Sequence, residues 1–235
     1  MYPSLTPRLR TVADLVPAGA RLADVGTDHA YLPAYLIATG QISSAIATDI
    51  RSGPLGRARA TVEHYGLQER LQLRLCDGLA AVGADEVEAV TVAGMGGETI
   101  LTILEQSPWA FDKVCVLQPM SAVEELRAGL DRLGVPISRE VLSRERDTLY
   151  VTLLLERKAE RAQGALTSAE IYVGRRPTHG GDPLWPEYLS QSRRRAAHAL
   201  EGLGKSARPE DAKRRTYFEE ILNGLDRMIK EEVSP

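Results

Sequence analysis

The feature that most constrains the fold is an alternation, between Arg21 and Glu156, of short apolar, β-rich runs with longer runs of helical spacing. Residues 21–25, 45–49, 71–76, 89–93 and 114–117 read as strands. Helices are expected near residues 32–39, 55–65, 97–106 and 123–133. Continuous apolar strands separated by crossover helices require a parallel sheet covered on both faces. Right-handed crossovers then leave few topologies open. The end of the alternation adds a further constraint. Residues 137–142 and 149–156 both read as strands, with only 143–148 between them. So short a link cannot hold a crossover helix, so these two strands are expected to form an antiparallel hairpin. The predicted fold class is α/β, a Rossmann-like, mostly parallel seven-stranded sheet with a terminal antiparallel hairpin.

Beyond residue 158 the pattern changes. Residues 159–181 are short on apolar periodicity and contain Gly164, Gly174, Pro177, Gly180 and Gly181. Residues 186–203 and 209–230 then read as two helices joined by a short Gly-Lys-Ser-Ala-Arg loop, each opening on a proline suited to a first turn. Tyr188, Leu189, Ser192, Ala196, Ala199, Leu200 and Leu203 share one face of the first helix. Phe218, Ile221, Leu222, Leu225 and Ile229 share one face of the second. The expected organisation is a ligand-binding domain over residues 1–158 and a coiled-coil-like helical hairpin over 159–235.

Charge follows the same division. Residues 1–156 carry 14 Lys and Arg against 20 Asp and Glu, whereas residues 157–235 carry 15 against 12. A basic tail on an acidic body can meet a polyanion, or can be ordinary helical surface. The two cysteines, Cys76 and Cys115, each sit in a strand-like apolar run and read as small buried hydrophobes, not as a disulfide or metal set. The N-terminus has no apolar signal-peptide core, and no stretch approaches the roughly 18 apolar residues of a membrane span. A cytoplasmic location with no membrane partner and no metal is expected; the oligomeric state is open, with a monomer as the working expectation.

The chemistry is concentrated at the strand ends, where open α/β sheets bind ligands. The first strand runs into Asp24-Val25-Gly26-Thr27-Asp28-His29. Gly26 allows a tight turn and a close ligand approach. The dinucleotide fingerprint G-x-G-x-x-G is broken, because Asp28 occupies the place of its second glycine. A carboxylate there repels a pyrophosphate but suits a cationic ligand such as S-adenosylmethionine; it can equally cap the next helix. Asp49 ends the second strand, where an acidic residue can accept hydrogen bonds from both ribose hydroxyls. Asp77-Gly78 ends the third, as an adenine contact or simply a turn. The fourth ends in Ala93-Gly94-Met95-Gly96-Gly97, with three glycines in four residues where a ligand can approach backbone N–H groups closely. The Asn/Asp-Pro-Pro-aromatic motif of amino-group methyltransferases is absent here, which points to a different nucleophile.

Three motifs in this order carry a family resemblance: Asp24-Val25-Gly26-Thr27-Asp28-His29-Ala30-Tyr31-Leu32-Pro33, then Ala93-Gly94-Met95-Gly96-Gly97, then Leu117-Gln118-Pro119. The chain resembles the TrmK family of bacterial tRNA (adenine(22)-N1)-methyltransferases, from Arg8-Leu9 through the hairpin strands and less closely through Gly181-Asp182-Pro183-Leu184-Trp185 and the helices after it. The resemblance implies a class I methyltransferase fold, S-adenosyl-L-methionine as cofactor and tRNA as substrate. It assigns Asp24, Gly26, Asp49, Asp77, Gly78, Ala93 and Gly94 to the cofactor, and Asp28, His29 and Tyr31 to the neighbourhood of the methyl group. Gly96, Gly97, Gln118 and Pro119 are expected on the substrate side. One departure stands out: Met120 fills the place where the family usually has Asn, so no side-chain hydrogen bond to substrate is assigned there.

The basic clusters Arg193-Arg194-Arg195 and Lys213-Arg214-Arg215 are candidates for tRNA docking, against the reading of plain surface charge diluted by Glu201, Glu210, Asp211, Glu219 and Glu220. Three other functions remain open to the sequence. They are a methyltransferase of this fold with another substrate, a non-catalytic RNA-binding module with a degenerate cofactor pocket, and a dehydrogenase. The missing glycines and the terminal hairpin speak against the last.

Overall fold

In a computed structural model the described residues are 2–156, 164–204, 208 and 210–233. The chain opens on α1 (Pro7–Leu15), which the sequence did not announce. Thr6 caps it by accepting the Leu9 N–H at 3.4 Å, and Pro7 occupies the first turn. The core alternation then runs β1 (Arg21–Val25), α2 (Tyr31–Ala38), β2 (Ser44–Asp49), α3 (Ser52–His64) and β3 (Leu71–Leu75). It continues with β4 (Ala89–Gly96), α4 (Gly97–Gln106), a 3-10 turn (Pro108–Asp112), β5 (Val114–Ser121) and α5 (Val123–Leu133). The hairpin strands are β6 (Arg139–Glu145) and β7 (Thr148–Leu155).

These seven strands form one sheet in the order β3-β2-β1-β4-β5-β7-β6. The pairs from β3 to β5 are parallel, and β7 lies antiparallel between β5 and β6. The expected hairpin is therefore present, but tighter than its hydrophobic runs suggested. Glu145 pairs with Thr148, leaving Arg146-Asp147 as a two-residue turn with Arg146 at φ 54°. The sheet order reverses between β1 and β4, which makes their carboxyl ends the switch point where ligands bind in such sheets.

Side chains alternate across the sheet. Leu22, Ala89, Val116 and Leu154 join a buried cluster with Val12, Leu36, Ile37 and Ile42, covered by α1 to α3. Their neighbours Ala23, Val90, Cys115 and Leu153 join a second cluster on the opposite face with Ile100, Leu104, Leu126 and Leu130 of α4 and α5. Strands buried on both faces explain why they read as continuous apolar runs.

β4 and β5 extend past the ends expected from sequence, to Gly96 and Ser121. The extension is irregular: the register slips between Ala93 and Met95 and again before Gly96. Gly94 makes this bulge possible at φ 84°, a conformation that costs other residues more.

The C-terminal part is α6 (Ser168–Val173), α7 (Arg176–His179), α8 (Trp185–Gly204) and α9 (Glu210–Val233). The short α6 and α7 fall where no periodicity marked them; a Thr167–Glu170 capping box starts α6. The helical hairpin of α8 and α9 matches the expected faces, with Tyr188, Leu189, Ser192, Ala196 and Leu203 buried on one helix and Ile221 and Leu225 on the other. Trp185, Tyr188, Leu189, Ile221 and Leu225 belong to the same cluster as Leu142, Val151 and Leu153, so the hairpin extends the core beside β6 and β7. The expected division after residue 158, most of the loop before α9 and Pro209 lie outside the described residues.

Under that contact sits a buried polar cluster. Arg127 of α5 donates to Glu140 Oε2 from Nε at 3.0 Å and from Nη2 at 2.6 Å, and to the Ile171 and Tyr172 carbonyls from Nη1. Burial opposes the Arg127 charge, but the Glu140 carboxylate and Tyr188 outweigh it and hold the guanidinium above its ordinary pKa. His179 stacks on Trp185 with ring centroids 4.0 Å apart, and burial holds its imidazole below the ordinary value.

Candidate active site

Two adjoining cavities open at the β1/β4 switch point. The larger, about 450 Å³, lies within the range of small-ligand sites. It brings together Gly26, Asp49, Asp77, Gly78, Ala93 and Gly94 from four different strand ends. Each of these residues was expected at the cofactor, and the parallel sheet gathers them because all four strands end on the same side. Asp49 accepts the Arg51 N–H on Oδ1 at 2.9 Å, and its second oxygen has no hydrogen-bond partner among the described residues. Thr48 donates to the Gly78 carbonyl at 2.9 Å, fixing the β3 turn against β2. A backbone turn free of side chain at Gly94, an under-used carboxylate at Asp49 and the polar Asp77 turn fit an adenosyl ligand with a zwitterionic tail.

Asp24 has a different place. It is buried, lines the second cavity, and accepts hydrogen bonds from the hydroxyls of Thr27 at 2.6 Å and Thr91 at 2.7 Å. Burial pushes its carboxyl up to about 6, against the lowering by those two hydrogen bonds. Its carboxylate ties β1 to β4 beneath the ligand space.

The second cavity, about 290 Å³, shares Gly26, Asp28, Ala93 and Gly94 with the first and adds His29 and Tyr31. The three expected catalytic residues therefore stand side by side where the two cavities meet. Asp28 is not the cap of α2: Ala30 holds that position, at φ 55° and without a side-chain cap. The Asp28 carboxylate instead meets the Arg57 guanidinium from α3, and lies 3.8 Å from His29 Nε2. His29 and Tyr31 stack with centroids 5.1 Å apart and planes 17° from parallel, and Tyr31 is 42% exposed. Together they present a flat, accessible aromatic face.

Arg8 enters this site from α1, and sequence reading gave it no role beyond marking the start of the resemblance. It lines the second cavity and donates to Gln118 Oε1. The same oxygen accepts the Gly94 N–H at 3.2 Å, while Gln118 Nε2 donates to the Pro119 carbonyl at 2.7 Å. Buried Gln118 thus locks the β4 bulge to the end of β5, and Arg8 completes the lock across more than a hundred residues of chain. Pro119 is likewise buried, and Met120 is 45% exposed beside it.

Other expectations are revised. Gly97 is buried at the start of α4, where a Cβ would fall 1.9 Å from the Ala122 carbonyl oxygen. Its lack of a side chain serves the close packing of α4 on α5, and neither Gly96 nor Gly97 lines the two cavities. Cys76 is not a core residue: it lies past the end of β3, half-buried, on the wall of the larger cavity. Cys115 is buried as expected, its thiol pushed up to about 12 by desolvation. The arginine triplet is dispersed. Arg193 donates to Asp226 of α9 at 2.6 Å, Arg194 to Ser190 at 2.9 Å, and Arg195 to Ser192 at 3.0 Å.

Residues 5–153 match a family described as "Methyltransferase domain". A tRNA (adenine(22)-N(1))-methyltransferase of Bacillus subtilis is 37% identical over 177 residues, covering 72% of this chain and 73% of its own. The chain belongs to this methyltransferase family. Solved structures of the family overlay nearly its whole length. The TrmK tRNA methyltransferase of B. subtilis has a TM-score of 0.85 at 29% identity, covering 96% of this chain and 99% of its own. M. capricolum TrmK, solved with the cofactor product S-adenosyl-homocysteine, has a TM-score of 0.79 at 27% identity, covering 96% and 98%. The methyltransferase fold expected from the strand pattern is thus in place. Among the described residues no helix is long and apolar enough to cross a membrane.

Proposed function

We propose that this chain transfers the methyl group of S-adenosylmethionine to N1 of an adenine in tRNA, at position 22, the position named for its B. subtilis relative. The observation that carries this reading is the pairing of two cavities through Gly26, Asp28, Ala93 and Gly94, one suited to the cofactor and one opening onto Asp28, His29 and Tyr31. When bound, S-adenosylmethionine supplies an electrophilic methyl on a sulfonium. N1 of adenine has an in-plane lone pair and needs no base to deprotonate it, so the protein's work is alignment and charge stabilisation. Asp28 offsets the positive charge that develops on the methylated ring and accepts a hydrogen bond from its amino group. Tyr31, backed by His29, stacks on the adenine once it has left its own stack. Arg8 and Gln118 hold the strand ends that form the floor between the cavities. Arg193, Arg194 and Arg195 are read as part of the tRNA-facing surface, and residues 1–158 and 159–235 as the catalytic and RNA-docking parts.

The test is methyl transfer from labelled S-adenosylmethionine to unmodified bacterial tRNA, followed by nucleoside mass spectrometry. The expected product is 1-methyladenosine, lost in Asp28→Ala while cofactor binding persists. Cofactor binding with no methylated nucleoside would discard the tRNA assignment. Tight tRNA binding with no affinity for S-adenosylmethionine would favour a non-catalytic RNA-binding role.

A further inference from the structure

A third cavity, about 280 Å³, opens at the same end of the sheet, between the end of β5 and the C-terminal helices. Its walls include Tyr150 of β7, Tyr172 of α6 and Arg195 of α8, together with Met120, Ser121 and Glu124. It is next to the reaction cavity. Arg8, on the wall of the reaction cavity, holds its guanidinium 5.7 Å from the centroid of the Tyr150 ring, which lines the third cavity. Pro119, whose carbonyl is held by Gln118, lines it as well.

The geometry points to a subsite for the base of a nucleotide adjoining the target adenine in the RNA, an inference that rests on the tRNA reading above. The contents of the cavity suit a nucleobase better than a phosphate. Tyr150 and Tyr172 bring two aromatic rings to its lining, one already in cation–π contact with Arg8, and every base has a π-face to stack on such rings. Tyr172 is braced by an edge contact to Phe218 at 6.5 Å, so its ring is positioned before any ligand arrives. Glu124 repels a phosphate but accepts from the exocyclic amino group of a base. Arg195 spends one donor on Ser192 and retains others for ring nitrogen or carbonyl acceptors. Met120 adds exposed apolar surface, which the Asn usual in the family at that place would not. There is also a reason for such a site. Extruding the target base unstacks its neighbour, and an aromatic pocket one step along the chain offsets that loss.

The test compares wild type with Arg195→Ala, Glu124→Ala and Tyr150→Leu, on unmodified tRNA and on the same tRNA carrying an abasic nucleotide immediately 5′ or 3′ of the methylated adenine. Arg195 is exposed, so Arg195→Ala is expected to leave the fold intact. Each variant is expected to lower the methylation rate at sub-saturating tRNA about tenfold, the usual scale of one lost base contact, while calorimetry finds the same affinity for S-adenosylmethionine. An abasic site at one of the two neighbours is expected to lower the wild-type rate at least as much and to bring wild type and variants to the same rate, since no base is then left for any of the three side chains to contact. Losses that multiply at both neighbours, or variants indistinguishable from wild type, would overturn the subsite. Failure of wild type itself to make 1-methyladenosine on intact tRNA would instead remove the tRNA reading on which it rests.

Discussion

Arg57 and Asp28 meet on the wall of the larger cavity with about half of each side chain in solvent, whereas Arg127 and Glu140 meet beneath α6 with almost none. The chemistry of the two pairs is the same, and burial gives them different work. An exposed arginine–carboxylate pair is worth at most about 1 kcal/mol, so a ligand that offers Asp28 a better partner can break it. A buried pair left with one member stranded costs several kcal/mol. The Arg127 guanidinium also ties down two carbonyls of α6, so it joins the C-terminal segment to the sheet edge as well as pairing with Glu140. The cavity mouth is built from interactions that can exchange, and the junction with the C-terminal segment from interactions that cannot.

The largest effect expected from this contrast is in Glu140→Ala. Removing the carboxylate strands the Arg127 charge and should lower the unfolding free energy by about 3–5 kcal/mol, read from the guanidinium midpoint. A loss under about 1 kcal/mol would break the comparison.

Asp24 gives a middle case, a buried carboxylate with hydroxyl partners and no cation. Its carboxyl sits at about 6 in the folded protein and near 3.9 in the unfolded chain. Between those values the folded state binds the extra proton, so its contribution to stability is fully present below about pH 4 and is lost as pH rises through 6. The two-unit difference corresponds to about 3 kcal/mol as an upper scale. Asp24→Asn should remove this term, so wild type minus variant should fall between pH 4 and 7 in urea titrations. A difference independent of pH would mean that burial does not govern Asp24.

The smallest stability effect is expected in Arg57→Ala, within about 1 kcal/mol by thermal unfolding. The same variant should slow methylation several-fold, because Asp28 loses the partner that orients it, with Arg57→Lys recovering part of the rate. A large drop in stability would place this pair with the buried one and erase the distinction.

The sequence by itself determined the sheet and which strand-end residues line the larger cavity. Apolar runs, helical spacing and a short final link are local consequences of backbone hydrogen bonding and of burial on two faces, so they can be read residue by residue. Gly26, Asp49, Asp77 and Gly94 were legible because parallel strands bring all their carboxyl ends to one side without further information. The tertiary structure alone decided what those ends would meet. It brought Arg8 to Gln118, gave Asp28 to Arg57 in place of a helix cap, used Gly97 for packing, and turned Cys76 toward the cavity. It also made one core of β6, β7 and the helical hairpin, through Arg127 and Glu140, which as single charged residues in a sequence read as surface. Such pairings join distant positions through side-chain direction and burial, and neither is set until the layers have packed.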